Sequence, residues 1–341
     1  MKLKKIIYGV VLTFLCSGMA SPCHAEDSIR SWIPKIGGTL RAKFEYQTDI
    51  NNARFQVRDA RVNVRGWLSS FLDYKLEINL SEKGKIRTHD LYARLHFGEQ
   101  FKLTAGQFRV PVSVDAARSP HERWFANRSF VGKDIGNIFD IGIKGTYALK
   151  STPLTAEFGV FNGMDYALSD EVWLKHFLFV GHLNYLVDGF DINASVMTTR
   201  PDRVRINIYD VSVSYAFGRF MVEGEYMYKH YINDPMKPVH AYNIMGMYGL
   251  PIKSPYLNMI KFMGRFDSMT DDSNGFTDET TGLLPIDDIG RNRVSLGVTL
   301  GYYKKVKAEL RLNFEKYFYD DGVEIAPSDH DKLVAEIMFN F

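Results

Sequence analysis

The sequence predicts a closed, membrane-spanning antiparallel β-barrel of about 16 strands, and three observations support this fold class. Apolar and polar residues alternate along about 16 segments, each near the roughly 10 residues that a tilted membrane strand needs. Short and long connections alternate between these segments. The chain also closes on an alternating stretch, residues 332–341, whose last residue is the aromatic Phe341.

The alternation gives each segment one apolar and one polar face, because successive side chains of a strand point to opposite sides. It is clearest in residues 40–46, 74–80, 190–196, 220–229 and 306–314. A soluble β-sandwich shows the same alternation. The connections therefore have to decide between the two architectures.

Seven connections are tight, and they lie near residues 69–70, 98–99, 150–152, 188–189, 218–219, 252–254 and 304–305. The longer polar connections between them lie near residues 47–54, 81–85, 108–136, 162–175, 200–205, 231–240, 268–290 and 318–330. Short turns at one end and longer loops at the other are typical of outer-membrane barrels. The Greek-key crossings of a sandwich give no reason for such alternation.

The N-terminal residues predict export from the cytoplasm. Lys2, Lys4 and Lys5 precede an apolar run, residues 6–15, and small residues lead from there to Ala25. We expect a signal peptide at residues 1–25, a short periplasmic segment at 26–36 and the barrel at 37–341. No later apolar run reaches the roughly 18 residues of a membrane helix, so the expected location is the bacterial outer membrane.

Charge and cysteine content exclude some other classes. The chain has 42 basic and 40 acidic residues, and the expected signal peptide removes three basic residues and both cysteines. A nearly neutral mature chain is a poor partner for nucleic acid, and it would have no disulfide. The nine histidines show no spacing typical of metal ligands, so neither a metal nor a cofactor is expected.

The third long connection, residues 108–136, is the first candidate functional segment. The lumen of a barrel of about 16 strands is wide enough for a loop to fold inward and narrow it. This connection has five basic residues against three acidic ones. The basic residues are Arg109, Arg118, Arg123, Arg128 and Lys133.

The first four strands supply a second candidate feature, a basic lumen wall, unless its side chains pair with Glu45, Glu77 and other lumen carboxylates. Strict alternation with apolar neighbours directs six basic side chains inward, namely Arg41, Lys43, Arg61, Arg65, Lys75 and Arg94. Fixed positive groups at successive positions can pass an anion along a pore. Arginine suits oxoanions because its planar fork donates two parallel hydrogen bonds.

Several motifs occur in order along the chain: residues 55–66 (FQVRDARVNVRG), 73–77 (DYKLE), 106–111 (GQFRVP), 133–136 (KDIG) and 142–145 (GIKG). With these motifs the chain resembles the phosphate-selective porin O/P family. The resemblance implies a 16-stranded trimeric porin that passes phosphate or other anions. By position it implies anion contacts at Arg58, Arg61 and Arg65 on the second strand and at Arg109, Arg123 and Arg128 on the loop. The chain departs from the family at Arg58-Asp59, where members have two arginines.

Two alternatives to an anion pore stay open at this point. The later strands direct acidic residues inward beside basic ones, and opposed charged walls are the arrangement of a general diffusion porin. The acidic set is Glu223, Glu225, Glu309, Glu315 and Glu336, and the basic set is Lys229, Lys261, Arg265, Lys307 and Arg311.

The other alternative is a barrel enzyme, for which the sequence offers Ser119 near His121 and Asp329 near His330 without a framing motif. The acidic outer loop around Asp271 lacks the acid and the glutamate of an EF-hand pattern. We therefore interpret that loop as an ordinary surface loop.

Overall fold

The computed structural model describes residues 33–82, 85–163, 173 and 175–341. These residues form sixteen antiparallel strands in one closed barrel, in which each strand pairs with its sequence neighbours and the last pairs with the first. The predicted fold class is confirmed. The predicted signal peptide lies outside the described residues. The strands are β1 (Lys35–Gln47), β2 (Asn52–Ser69), β3 (Leu72–Glu82), β4 (Lys85–Phe97), β5 (Phe101–Arg109), β6 (Phe139–Ala148), β7 (Leu154–Phe161), β8 (Leu178–Val187), β9 (Phe190–Thr199), β10 (Ile206–Phe217), β11 (Phe220–Tyr231), β12 (Val239–Pro251), β13 (Met259–Met269), β14 (Arg291–Tyr303), β15 (Lys307–Phe318) and β16 (Lys332–Asn340).

The strands turn polar side chains inward and apolar ones outward. On β14, Arg293 and Ser295 are buried in the barrel, whereas Val294 and Leu296 are exposed on its surface. This is the reverse of a soluble β protein, and it suits an outer surface in contact with hydrocarbon. Among the described residues, no helix is long and apolar enough to cross a membrane.

The connection between β5 and β6, residues 110–138, folds into the lumen, and we call it the inward loop. It contains a short helix, α1 (Val114–Ala117), and one π-helical turn (Val131–Ile135). Hydrogen bonds from or to this loop reach β1, β11, β13, β14 and β15 on the opposite side of the barrel. The loop therefore crosses the lumen.

Two carboxylates hold the inward loop in place. Glu225 on β11 accepts hydrogen bonds from the Ser113 hydroxyl (2.7 Å) and the Val114 backbone N–H (2.8 Å), at the start of α1. Asp115 accepts from both the backbone N–H (2.9 Å) and the hydroxyl (2.7 Å) of Ser129. The first carboxylate fixes the loop to the wall, and the second joins its two limbs.

Two glycines allow these limbs to approach closely. A Cβ atom on Gly132 would lie 2.4 Å from the Asp115 carboxylate, and one on Gly136 would lie 2.4 Å from the Ser113 Cβ. Neither separation is sterically possible unless a neighbouring group moves. The KDIG stretch thus ends in a glycine because the loop packs against its own first helix there.

Part of the barrel interior is apolar, which the sequence-based expectation of a polar interior did not include. Inward side chains of β7–β13 pack against the inward loop and are buried there. Each such buried side chain contributes about 1.5–3 kcal/mol relative to exposure to water. The open part of the lumen therefore lies on the side of β1–β5. The apolar cluster includes Val110, Val112, Phe130, Val131 and Ile135 of the loop and Phe161, Leu178, Val180, Met197, Ile206, Ile208, Met227, Tyr231, Val239, Ala241 and Met269 of the wall.

Substituting Glu225→Ala should release the start of α1 from β11. The Ser113 hydroxyl and the Val114 N–H would lose their acceptor, which costs about 1–3 kcal/mol at a buried site. We expect a larger single-channel conductance in planar bilayers from a loop that blocks less of the lumen. Asp191→Ala is the control, because the hydrogen bonds of the Asp191 carboxylate in the described structure come from Asn184 and Asn193 on the wall and not from the loop. Equal conductance in the two variants would contradict this role of Glu225.

Candidate functional site

A cavity of about 80 Å³ lies between the inward loop and the wall formed by β2–β6. Its charged lining consists of six guanidinium groups and one carboxylate, Asp59. Asn79, His89, Asn137 and Phe139 complete it. We call the guanidinium groups the arginine cluster; they are Arg58, Arg61, Arg87, Arg109, Arg123 and Arg128.

A β-bulge in β2 brings two adjacent residues into this cavity. Arg41 on β1 pairs with Asp59, but Ala42 pairs with Val57, so Arg58 is an extra residue in the ladder. Val57 then faces outward, while Arg58 and Asp59 both line the cavity. Without the bulge, strict alternation would place Arg58 and Arg61 on opposite faces. The bulge is the reason that both reach the lumen.

A second bulge, in β4, does the same on the neighbouring part of the wall. Leu76 on β3 pairs with Leu91, and Ile78 pairs with Thr88, so two residues of β4 face one residue of β3. One of the two, His89, lines the cavity. The other, Asp90, accepts a hydrogen bond from the Lys75 ammonium at 2.5 Å. Bulges frequently redirect side chains next to functional sites.

Arginines of β1, β13 and β14 orient the loop's own arginines. Arg41 donates to the Ala126 carbonyl (2.5 Å), and Arg265 and Arg293 both donate to the Arg128 carbonyl (3.2 and 2.7 Å). These contacts bind the loop backbone to the side of β1, β13 and β14. The side chains of Arg123 and Arg128 then extend into the cavity on the other side of the loop.

Four members of the arginine cluster form no ion pair with a carboxylate in the described part of the chain: Arg58, Arg109, Arg123 and Arg128. Asp59 is already shared between Arg41 (2.8 Å) and Arg61 (2.9 Å). The cavity therefore keeps an excess of positive charge. A negatively charged ligand would relieve the repulsion among these groups.

The two loop arginines each keep one donor without a partner, although Arg128 also donates to the Ala116 and Arg118 carbonyls. The Nε atoms of Arg123 and Arg128 are enclosed and have no hydrogen-bond partner in the structure. Burial lowers the pKa of the Arg123 guanidinium well below its ordinary value, and the charges of Arg128 and Arg41 lower it further. Arginine stays protonated in proteins. An anion that accepts hydrogen bonds would therefore stabilise these buried, positively charged donors.

Two larger cavities lie on either side of the cluster. On the long-loop side, a cavity of about 260 Å³ shares Arg58, Arg123 and Arg128 with the small one and is also lined by Lys43 and Lys332. On the short-turn side, a cavity of about 670 Å³ is lined by Lys35, Arg65, Lys75 and Arg94. Basic side chains thus border all three spaces along the open side of the lumen.

The structure brings five of the predicted anion contacts together and places the other three elsewhere. Arg58, Arg61, Arg109, Arg123 and Arg128 line the small cavity, and Arg65 lies in the short-turn cavity.

Arg118 forms an ion pair with Glu223 on β11, and Lys133 contacts Asp134 (3.1 Å) and Asp329 (3.5 Å). Arg118 holds the loop against β11, whereas Lys133 is paired and also lines the cavity of about 260 Å³. A count of charges along the loop cannot show Glu223 or Asp329, because these two partners belong to distant segments.

The predicted basic wall is largely neutralised. Arg41 is fully buried between Asp59 and Glu336, and Lys43 contacts Glu45 at 2.6 Å. Lys75 pairs with Glu77 (3.1 Å) and Asp90 (2.5 Å), whereas Arg94 donates to the Tyr92 hydroxyl at 2.8 Å. Burial of a charged group requires such compensation. Strand position alone therefore does not identify an anion contact.

The acidic residues of the later strands do not form an opposing charged wall in the described structure. Glu309 and Glu336 both pair with Arg311, and Glu315 lies 3.4 Å from Arg293. Glu223 and Glu225 hold the inward loop, as described above. A transverse field between basic and acidic walls, the basis of the general-diffusion alternative, is weakened by these pairings.

Of the two side-chain pairs considered for catalysis, Asp329 and His330 are engaged in other contacts. The Asp329 carboxylate lies 3.1 Å from Arg291, and His330 contacts Asp49 at 2.7 Å. The backbone N–H of Ser119 donates to Glu122, while the carbonyl of His121 accepts from Lys307. Among the described residues, no group of three or more His, Cys, Asp or Glu side chains could hold a metal ion.

Among the cavity residues, Arg87, His89 and Asn137 were not sequence-based candidates. The alternation of Arg87 with the outward-facing Ile86 was a usable signal. The bulge concealed the orientation of His89, and Asn137 lies one residue beyond the predicted end of the inward loop. The Asn137 side-chain oxygen accepts from Arg109 and from Arg128 (3.0 Å), so it orients two cluster members.

A closed sixteen-stranded barrel with a loop across its lumen and a charged constriction is the architecture of outer-membrane porins. The family model described as phosphate-selective porin O and P matches residues 36–175. This confirms the resemblance for the part of the chain that forms the first strands and the inward loop. No curated protein matches the sequence.

Solved porin structures share the fold at low sequence identity. The trimer form of OmpT from Vibrio cholerae is 13% identical with a TM-score of 0.63, over 91% of this chain and 98% of that chain. An anion-selective porin from Comamonas acidovorans is 12% identical with a TM-score of 0.62, over 90% and 98%. OprB from Pseudomonas putida is 11% identical with a TM-score of 0.63, over 90% and 94%.

Arg41 and Arg58 should respond differently to truncation. Arg41→Ala removes the guanidinium group that pairs with both Asp59 and Glu336. Breaking such a buried ion pair costs about 3–5 kcal/mol of folding stability. Arg58 is exposed to the lumen and has no ion pair in the described structure, so Arg58→Ala should change stability by less than about 0.5 kcal/mol. Urea unfolding in lipid vesicles measures both. Equal losses would contradict the distinction between a structural and a ligand-facing arginine.

Proposed function

We propose that this protein is a passive channel of the bacterial outer membrane that conducts small anions, with inorganic oxoanions such as phosphate bound transiently at the arginine cluster. The observation that carries the proposal is the cavity with six guanidinium groups and one carboxylate, in which four guanidiniums have no carboxylate partner among the described residues. The protein turns over no substrate in this function.

The geometry supports oxoanions in particular. A cavity of about 80 Å³ has room for a few water molecules. One small tetrahedral ion occupies a similar volume. Guanidinium groups from two sides, β2–β5 and the loop, can donate to different oxygens of the same ion. The basic cavities above and below give an ion a path toward the cluster and away from it.

Two of the similarities to known proteins agree with this proposal. The matched family is described as phosphate-selective, and the porin from Comamonas acidovorans is anion-selective. A general diffusion porin remains the second candidate, since ion pairs cover much of the lumen wall and would not exclude neutral solutes. An anion pore and a general pore differ in a measurable quantity, the ratio of anion to cation permeability.

The reversal potential of the purified protein in a planar bilayer with asymmetric potassium chloride should report anion selectivity. Phosphate added to both sides should inhibit the chloride current. Arg123→Ala and Arg128→Ala should each raise the phosphate concentration for half inhibition about tenfold, as expected for one lost charge-assisted hydrogen bond.

Arg219→Ala is the matched control, because Arg219 lies exposed at the tight turn between β10 and β11, away from the cavity. Its half-inhibiting phosphate concentration should equal that of the unmodified protein. Cation selectivity of the unmodified protein would refute the proposal. Unchanged phosphate inhibition in both loop variants would show that the arginine cluster is not the phosphate-binding site of the channel.

Export and assembly are further parts of the proposal. We expect cleavage after Ala25 and assembly into a homotrimer in outer-membrane lipid; the trimer form of OmpT supports the latter by its shared fold. N-terminal sequencing of the protein purified from the outer membrane should begin at Glu26. Chemical cross-linking in mild detergent should yield a species of three chains, and a monomer under all conditions would exclude the trimer.

A further inference from the structure

His89 occupies an unusual position in the cavity of the arginine cluster. It projects from the β4 bulge, and both of its ring nitrogens are enclosed without a hydrogen-bond partner in the structure. The ring packs edge-on against Phe139, with centroids 5.0 Å apart, so its orientation is fixed by an apolar contact and not by a polar one. Buried polar atoms without partners are rare and call for an explanation.

The enclosed position of His89 and the positive charges beside it favour a neutral ring. Arg61 and Arg87 line the same cavity, and both would repel an imidazolium. A neutral imidazole has one N–H donor and one nitrogen lone pair that accepts. His89 thus offers both kinds of hydrogen bond, whereas the guanidinium groups around it can only donate.

The other acceptors that line the cavity are already in use. The two oxygens of Asp59 accept from Arg41 and Arg61, and the Asn137 oxygen accepts from Arg109 and Arg128. The Asn79 oxygen accepts from the backbone N–H of Ala60 and from Ser81. Among the described side chains that line the cavity, His89 therefore has a neutral acceptor, its ring nitrogen lone pair, to which no protein group donates a hydrogen bond.

We propose that His89 determines specificity at this site, by accepting a hydrogen bond from oxoanions that carry their own hydroxyl group. Hydrogen phosphate and hydrogen arsenate belong to this class; sulfate and selenate do not. This inference rests on the proposed anion channel and adds a ligand class and a residue to it. Arginine donors alone bind all four ions through their oxygens and cannot distinguish a protonated dianion from an unprotonated one.

The expected preference follows from the cost of leaving a buried hydrogen-bond acceptor without a donor. A ligand with both oxygens and an O–H satisfies the acceptor and the donor of His89 together. An ion without an O–H leaves the ring lone pair unsatisfied against an anionic oxygen. The loss of one neutral hydrogen bond at a buried site corresponds to a preference of roughly three- to tenfold.

The test uses four anions of equal charge. At mildly alkaline pH, hydrogen phosphate, hydrogen arsenate, sulfate and selenate are all tetrahedral dianions. Each is titrated against the chloride current of the purified protein in a planar bilayer. For the unmodified protein we expect half inhibition by the two hydroxyl-bearing ions at concentrations roughly three- to tenfold lower than by the other two.

Three variants separate a polar role of His89 from a structural one. His89→Phe keeps a ring against Phe139 but removes both nitrogens, so the preference should fall to about one while sulfate inhibition is retained. His89→Gln restores a donor and an acceptor and should restore the preference. His182→Phe changes a histidine on β8 that contacts Ser195 instead, and it should leave the preference unchanged.

The outcomes distinguish this inference from the function on which it rests. Equal inhibition by all four ions in the unmodified protein, or an unaltered preference in His89→Phe, overturns the role of His89 while the anion channel stands. Lack of inhibition by every oxoanion, together with cation selectivity, overturns both. If His89→Phe does not give the mobility shift of a folded barrel in electrophoresis, His89→Leu is measured in its place against His89→Gln.

Discussion

The backbone of the inward loop is bound by arginines of β1, β13 and β14, and the position of the site depends on that interaction. Arg41, Arg265 and Arg293 donate to carbonyl oxygens of residues 126–128. Because the backbone is held from one side, the loop's cationic side chains are directed to the other. Each donor is itself paired with a carboxylate, as a buried guanidinium requires.

Two kinds of arginine therefore coexist in the lumen with opposite roles. Those paired with carboxylates, such as Arg41 and Arg311, stabilise the barrel and the loop, and their charge is cancelled locally. Those without such partners in the described structure, such as Arg123 and Arg128, keep a charge that no carboxylate cancels. The loop packs its apolar side chains against β7–β13, and the cavities lined by the second kind of arginine lie on its other side. The positions of the charges and the apolar packing of the loop together define the open side of the lumen.

The bulges in β2 and β4 concentrate polar groups at the level of the constriction. A regular strand presents one inward side chain for every two residues, whereas each bulge presents two in succession, Arg58-Asp59 and His89-Asp90. In both pairs the acidic residue contacts a neighbouring basic side chain on the wall, and the other residue lines the cavity. This chain has Arg58-Asp59 where members of the porin family have two arginines. The Asp59 carboxylate is neutralised by ion pairs with Arg41 and Arg61.

The sequence by itself determined the barrel, its strand number and the loop that narrows it, since period-2 alternation and connection length are local properties that survive in any closed barrel. It also identified five of the six cluster arginines. Only the tertiary structure decided which of the basic residues remain unpaired, because Glu336, Glu223 and Asp329, which pair with Arg41, Arg118 and Lys133, lie on distant segments. The bulges and the apolar cluster in the lumen were likewise beyond local patterning. A bulge is a property of two strands in register, and an inward apolar side chain is stable only once the loop covers it.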